Sequence, residues 1–348
     1  MNILSGISLA EAAATKANHL NLIRAIAATA VLLSHAWPIS LGYNSVEPFQ
    51  PLIGYTLGEI AVLVFFAISG FLISASYDRS RSPRRYVIAR TARLIPGLFV
   101  SVVFVAFLIG PFVTSLGISR YLTHQGVYEF IIRNVTLIWP QFQLPGVFED
   151  NPIPNIEGSI WTLAYEVACY VGVLGLGLLG FFDRHLVIKI ALSSLIVCIV
   201  WFQILDIPVH ARLHALINFS LPFVIGMAFY VWRKNILLSP LAAVIITTVA
   251  ISLRNLPIYH ALMSFALTYS IFTVAYMRST VAEKYNLLGD YSYGIYIYAF
   301  PIQGLMVHLF GPLTPIENVA LALPITIVLA IASWHWVEKP ALALSKRF

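Results

Sequence analysis

The chain has little charge and little cysteine for its length. Of its 348 residues, 10% are charged and 59% are hydrophobic, whereas about a quarter of a soluble globular protein is charged. This shortage excludes a soluble enzyme with a large polar surface and leaves no room for a sizeable soluble domain. The two cysteines, Cys169 and Cys198, lie inside apolar runs, so we expect small core side chains, with neither a disulfide nor a nucleophile.

What the sequence has instead is long apolar runs. The mean hydropathy is +0.84, and a run of about 20 apolar residues can cross a bilayer as a helix. We therefore predict an all-α, polytopic membrane protein with about ten transmembrane helices. The predicted spans are about 22–40, 55–76, 94–112, 160–181, 186–205, 213–231, 236–252, 258–277, 291–310 and 318–337.

The distribution of lysine and arginine predicts the orientation. An even number of spans places both termini on one side of the membrane. Of the 21 lysines and arginines, four would then face outside (Arg120, Arg133, Arg212 and Arg254), which leaves 17 inside. Basic residues concentrate in cytoplasmic loops, so both termini are predicted to be cytoplasmic. The same bias explains the net charge of +6 without a nucleic-acid partner.

We expect a single transmembrane domain over residues 1–348, with three segments outside the spans. Residues 1–21 form a short cytoplasmic leader without the apolar core of a signal peptide. Residues 77–93 form a cytoplasmic loop with six arginines and one aspartate. Residues 113–159 form an outward-facing connection, and loops of that length are usually functional or disordered. A lid or an acceptor-binding element would fit there.

Two polar residues of the first span are the first candidate site. Arg24 and His35 are eleven residues apart, which puts them on one helix face, about 16 Å apart along the axis. Ionisable residues inside a membrane helix usually mark a pathway or a reaction centre. The alternatives are that Arg24 anchors the helix at the cytoplasmic surface and that His35 is a hydrogen-bonded interior histidine.

Glu166, in the fourth span, is the predicted partner of His35. The predicted topology places His35 roughly 20 Å above the cytoplasmic start of its helix and Glu166 about 10 Å below the outer surface, so their depths coincide. A carboxylate beside an imidazole stabilises the imidazolium that forms when the ring takes up a proton. Alternatively, Glu166 pairs with a buried arginine or tyrosine. Glu59 is a second, weaker candidate because it could simply face outside water.

A second candidate site lies at the predicted cytoplasmic side. Arg90 and Arg93, three residues apart, share a helix face and could bind phosphate groups bidentately. Tyr291 and Ser292, which follow Asp290 at the start of the ninth span, lie where a helix N-terminus offers free amides to an anion. The basic bias of cytoplasmic loops is the alternative explanation for the arginines.

Several sequence blocks, in this order, resemble the integral membrane acyltransferase family 3 across about residues 21–340. LIRAIAATAVLLSH matches the family's arginine, ten residues and histidine, and VLVFFAISGFLI resembles its Phe-Phe-x-x-Ser-Gly-Phe helix. RTARLIP resembles its Arg-x-x-Arg block, and IWTLAYEVACY its Trp-Ser-Leu-x-x-Glu block. LGDYSYGIYIYAFPI and WHWVEKP resemble the last two blocks. Thr162 and Ala25 replace the family's usual Ser and Gly. Ala299 stands where many members have a histidine before an aromatic-Pro pair, so we assign no chemistry to the ninth span.

This resemblance implies an O-acyltransferase that takes an acyl group, usually acetyl, from cytoplasmic acyl-CoA and passes it to a hydroxyl of an extracytoplasmic glycan. His35 matches the family's catalytic histidine, Arg24 its partner arginine and Glu166 its helix-four acid. Arg90 and Arg93 match its acyl-CoA site. Neither a metal nor a nucleic acid is implied.

The resemblance also favours the bacterial cytoplasmic (inner) membrane, with membrane lipid as a further partner. The sequence does not name the glycan, which could be exopolysaccharide, lipopolysaccharide, peptidoglycan or lipo-oligosaccharide. It does not distinguish acetyl from succinyl, and it leaves the oligomeric state open, a homodimer included. Two other classes stay open: a transporter or flippase in which His35 and Glu166 relay protons, and a non-catalytic polysaccharide-assembly scaffold.

Overall fold

The computed structural model describes residues 7–14, 18–205, 207–277 and 279–347, and within these ranges the chain is mostly helical. Lys16 and Arg278, both counted above as cytoplasmic, lie outside the described residues. The helices are α1 (Leu9–Ala14), α2 (Leu20–Leu41), α3 (Gln50–Ile53), α4 (Leu57–Ser80), α5 (Pro83–Phe104), α6 (Gly110–Val113), α7 (Ile118–Thr123), α8 (Gln125–Thr136), α9 (Trp161–Leu178), α10 (His185–Ile204), α11 (Ala211–Val231), α12 (Pro240–Ser252), α13 (Tyr259–Ala275), α14 (Thr280–Leu288), α15 (Ser292–Phe310), α16 (Pro315–Ser333) and α17 (Lys339–Ser345).

The predicted all-α class is confirmed, and each predicted apolar run contains a helix. Eight helical segments of the described chain are long and apolar enough to cross a membrane. The seventh and eighth predicted spans correspond to the shorter apolar helices α12 and α13. The count of ten spans and the cytoplasmic position of both termini stay predictions.

The basic segment 77–93 is helical for most of its length. Its first four residues complete α4, and α5 begins at Pro83, so only Arg81 and Ser82 separate the two helices. Proline at the first position of a helix loses no hydrogen bond, because that amide has no helical partner. At its other end α5 passes through a π-helical turn, Val105–Ile109, into α6. The third span therefore runs over Pro83–Val113.

The long connection after this span contains two helices, α7 and α8, and then an irregular stretch over residues 137–160. Side-chain and backbone hydrogen bonds hold this stretch in place. The Asn134 side chain donates to the Gln141 carbonyl and accepts from the Gln141 amide, both at 2.9 Å. The Phe142 carbonyl accepts from the amides of Ile156, at 2.8 Å, and Glu157, at 3.1 Å. The connection therefore has an ordered backbone.

The chain, expected as one domain, divides into two compact units that alternate along the sequence. The first unit consists of Met1–Arg24, Ile60–Tyr86 and Tyr165–Gly289. In it, β1 (Ile7–Ser8) pairs antiparallel with β2 (Leu237–Leu238). Helices α4 and α11 approach closely, because a Cβ atom at Gly70 would overlap the carbonyl of Phe223 and one at Gly226 would overlap the carbonyl of Ala67.

The second unit consists of Ala25–Glu59, Val87–Ala164 and Asp290–Phe348. Its central helix is α15, in which 15 of 19 residues are buried. A helix that is buried on all sides is surrounded by other elements. At Gly294 it packs directly on Ala330 of α16, where a side chain would not fit. Helix α15 therefore carries the polar groups described next into the interior of this unit.

Candidate active site

His35 lies on α2, and its ring packs against Phe300 of α15. The two ring centroids are 5.2 Å apart at an interplanar angle of 78°, the edge-to-face arrangement that aromatic rings prefer. The Nδ1 atom of His35 is buried and has no hydrogen-bond partner among the described residues. A buried polar atom without a partner is costly, so this nitrogen is available to a ligand.

Further polar groups lie one helical turn from this contact. Gln303 of α15 donates from Nε2 to the carbonyl of Leu32, one turn before His35, at 2.9 Å. Asn318 of α16 donates from Nδ2 to the carbonyl of Gln303 at 3.1 Å. The side-chain oxygens of Gln303 and Asn318 are buried and have no partner in the described part of the chain. Side-chain atoms of Gln303 and Asn318 without a hydrogen-bond partner in the described chain therefore lie near the contact between His35 and α15.

Glu47, which sequence analysis did not select, is a buried acid of the same unit with a structural role. One carboxylate oxygen accepts the hydroxyl of Ser34, next to His35, and the other accepts the amide of Leu57 at 2.9 Å. Glu59, named above as the weaker acid, is exposed and caps α4 by accepting from the amide and hydroxyl of Thr56. Both acids therefore hold the connection between α2 and α4.

Glu157 is the second acid that sequence analysis missed. It is completely buried, and neither carboxylate oxygen has a hydrogen-bond partner of ordinary geometry within the described ranges. Burial raises the pKa of this carboxyl to about 8, an effect that the approach of the Gly158 amide only partly opposes. The residue lies in an irregular stretch without periodicity, so no helical pattern could have singled it out.

The predicted cytoplasmic site contains a buried ion-pair cluster. Arg93 of α5 contacts Asp290 at 2.6 Å and Glu338 at 3.6 Å. Its guanidinium also lies 5.8 Å from the ring centroid of Tyr293, within the range of a cation–π contact. Ser333 donates to the other oxygen of Glu338 at 2.9 Å. The structure therefore brings together α5, the start of α15 and the end of α16.

Ser292 belongs to this cluster, whereas Tyr291 lies beside it. The hydroxyl and amide of Ser292 both donate to Asp290, at 2.5 Å and 3.3 Å. The anion at the N-terminus of α15 is thus the carboxylate of Asp290 itself. The hydroxyl of Tyr291 lies 3.5 Å from Nε2 of His335. Arg90 is half-buried, one turn before Arg93 on α5, and could present its guanidinium to a phosphate group.

Two predicted catalytic residues belong to the first unit. Glu166 accepts hydrogen bonds from Ser69, at 2.9 Å, and from Tyr170. Arg24, near the start of α2, has its guanidinium carbon 6.0 Å from the ring centroid of Phe65. His35 belongs to the second unit, so the contact predicted between His35 and Glu166 stays a prediction.

Comparison with known proteins gives consistent matches. A family model described as "Acyltransferase domain" matches residues 18–335. The chain is 27% identical over 350 residues to a protein named O-acetyl transferase from Shigella phage Sf6, which covers 95% of this chain and 97% of that protein. It is also 29% identical over 161 residues to a protein named Nodulation protein 10 from Rhizobium leguminosarum bv. viciae. That match covers 44% of this chain and 42% of that protein. No solved structure matches. Together with the apolar helices, these matches describe a multi-pass membrane protein.

Proposed function

Since the chain belongs to this acyltransferase family, we propose that it is a membrane O-acyltransferase that moves a short acyl group, acetyl first of all, from acyl-CoA to a hydroxyl of an extracytoplasmic glycan. The relative named O-acetyl transferase, similar along nearly its whole length, favours acetyl and an oxygen acceptor. Exopolysaccharide and lipopolysaccharide are the acceptors that we would test first, in the bacterial inner membrane.

One observation supports this proposal above the others: α15 connects the two candidate sites. At its start, Ser292 holds Asp290, which contacts Arg93. Eight residues later, Phe300 contacts His35. Eight residues of helix span about 12 Å, which is within the reach of the pantetheine arm of CoA. A donor bound by its phosphates near Arg90 could therefore present its thioester at His35.

The reaction assigns each group a role. His35 takes the proton from the acceptor hydroxyl, whose oxygen attacks the thioester carbonyl carbon. The new carbon–oxygen bond replaces the carbon–sulfur bond, and the leaving CoA thiolate takes the proton from the imidazolium. Arg90 binds donor phosphates, while Arg93, Tyr291 and Ser292 order that end of the site. Glu166 and Arg24 stay proposed catalytic residues, Glu166 to stabilise the imidazolium and Arg24 to order α2 and the donor.

The proposal is tested by replacing His35 in a strain whose own gene is deleted. We expect His35→Ala to be made and inserted normally, but to lower acetylation by about 10²–10⁴-fold, the usual contribution of a general base. The control is His308→Ala, which changes an exposed histidine at the end of α15. Mass spectrometry of the surface glycans measures the acetylation. Full acetylation by His35→Ala would remove His35 from the mechanism.

A further inference from the structure

The side chains of Glu157 and Ser159 present buried oxygen atoms that nothing in the described chain uses. Glu157 is 0% and Ser159 1% exposed, and among the described residues neither the carboxylate oxygens nor the Ser159 hydroxyl has a hydrogen-bond partner of ordinary geometry. A buried polar group that is left unpaired destabilises the folded protein. Three such atoms within three consecutive residues indicate a binding site for another molecule.

The backbone around these side chains is held firmly. The Glu157 amide donates to the Phe142 carbonyl at 3.1 Å, and the Ser159 carbonyl accepts the Tyr296 hydroxyl at 2.6 Å. Just before them, the Asn155 side chain donates to the Tyr43 hydroxyl at 2.9 Å. Hydrogen bonds therefore hold the backbone of this stretch in place, while the side-chain oxygens of Glu157 and Ser159 have no partner among the described residues.

This stretch lies beside the proposed base. A Cβ atom at Gly158 would overlap the ring of Phe300, the same ring whose neighbour on α2 is His35. Position 158 therefore has no space for a side chain, and Glu157 and Ser159 are its neighbours in the chain on either side of this contact. All of these residues belong to the second unit.

We propose that Glu157 and Ser159 form the subsite that binds the acceptor, a polyhydroxylated saccharide, by hydroxyl groups next to the one that His35 deprotonates. The inference rests on the proposed function and names the residues that would recognise its substrate. A carboxyl and a hydroxyl, two residues apart, suit neighbouring hydroxyls of a sugar, because each can donate and accept hydrogen bonds.

The state of Glu157 agrees with this role. A carboxyl with a pKa of about 8 is about nine-tenths protonated at pH 7, so it can donate one hydrogen bond and accept others. Glu47, another buried acid of this unit, has both oxygens occupied, by Ser34 and by the Leu57 amide. Glu47 is therefore a suitable control for Glu157: the protein occupies both carboxylate oxygens of Glu47, whereas those of Glu157 have no partner of ordinary geometry among the described residues.

The test compares Glu157→Met and Ser159→Ala with Glu47→Met in the full-length protein in membranes. The probes are acetyl-CoA and surface polysaccharide isolated from the gene-deletion strain. For Glu157→Met we expect a rise of about 10–100-fold in the KM for the polysaccharide because its hydrogen bonds to the acceptor are lost, which corresponds to about 1.4–2.8 kcal/mol at 1.4 kcal/mol per factor of ten. The KM for acetyl-CoA stays unchanged, and the melting temperature stays equal or rises. Ser159→Ala raises the KM for the polysaccharide less, and Glu47→Met lowers the melting temperature.

Each outcome decides a different claim. If the wild type acetylates the polysaccharide and both Glu157→Met and Ser159→Ala keep its KM, the open oxygens hold only a buried water and the subsite is wrong. An equal rise in the KM for acetyl-CoA would also overturn it. If Glu157→Met does not fold, Ser159→Ala decides alone. If the wild type transfers no acetyl group, the proposed function itself fails.

Discussion

Arg93 lies between the carboxylates of Asp290 and Glu338, with its side chain only 12% exposed. Two acids share this one guanidinium, so its positive charge is already balanced before any ligand binds. Arg90, one turn earlier on the same helix, is the better placed of the two arginines to meet a phosphate. We therefore expect Arg93 to act mainly by ordering the start of α15.

Removing Arg93 takes away the guanidinium that two buried carboxylates contact. We expect Arg93→Ala to lower the free energy of unfolding by about 3–5 kcal/mol, as does breaking other buried ion pairs. The control is Arg133→Ala, because Arg133 and Glu129 form a pair 3.5 Å apart with side chains 50% and 40% exposed, which is worth about 0–1 kcal/mol. Thermal unfolding of the detergent-solubilised proteins measures both. Equal losses in the two variants would show that the Arg93 cluster is not structural.

Sequence reasoning at the residue scale found the groups that stand out against an apolar helix and missed those in irregular segments. His35 and Glu166 could be selected because a polar residue in a long apolar run is conspicuous. Glu157 lies in a proline-rich stretch, where burial follows from tertiary packing alone. The contact between Arg93 and Asp290 joins residues 197 positions apart, and no local pattern in a single sequence carries that information.

At the scale of elements, glycine sets how closely α4 and α11 approach in the first unit. A Cβ atom at Gly70 or Gly226 would overlap backbone carbonyls of the opposite helix. Backbone atoms cannot rotate away as a side chain can, so the two helices would have to separate. Small residues play this role in many membrane helix pairs, where close packing replaces the hydrophobic effect.

We expect Gly70→Ala and Gly226→Ala each to destabilise the protein by about 1–3 kcal/mol, the usual cost of overpacking. Gly172→Ala and Gly175→Ala on α9 are the controls, because a Cβ atom there meets nothing within 4 Å. These should unfold at the wild-type temperature or slightly above it. Melting temperatures in one detergent compare the four variants. Neutral effects at both Gly70 and Gly226 would contradict the close helix contact.

The apolar runs predicted the existence of the helices better than their ends. Helix α2 spans Leu20–Leu41, close to the predicted 22–40. Helix α5 begins at Pro83, eleven residues before the predicted start at 94. Hydropathy marks where a helix can meet lipid, whereas hydrogen bonding and capping decide where it begins. The π-helical turns Val105–Ile109 and Trp334–Glu338 arise from shifted hydrogen bonds that hydropathy does not record.

At the scale of the whole molecule, the lysine and arginine count predicts that the chain end is cytoplasmic and that the connection after the third span is outside. We expect Ser119→Cys to react with a membrane-impermeant maleimide in intact cells, and Lys346→Cys to react only after lysis. Ser119 and Lys346 are both exposed. Both variants are made with Cys169 and Cys198 replaced by alanine, and that background is the control. The reverse labelling pattern would contradict the orientation.

The central claim is that an acyl group passes from CoA on the cytoplasmic side, through His35, to a saccharide on the other side. Sealed inside-out membrane vesicles test it directly, with acetyl-CoA carrying a radiolabelled acetyl group supplied to the exposed cytoplasmic face. The account predicts that the label becomes attached to saccharide inside wild-type vesicles and not inside His35→Ala vesicles. Equal labelling of the saccharide by both proteins, or labelled acetyl-CoA recovered intact inside the vesicles, would contradict it.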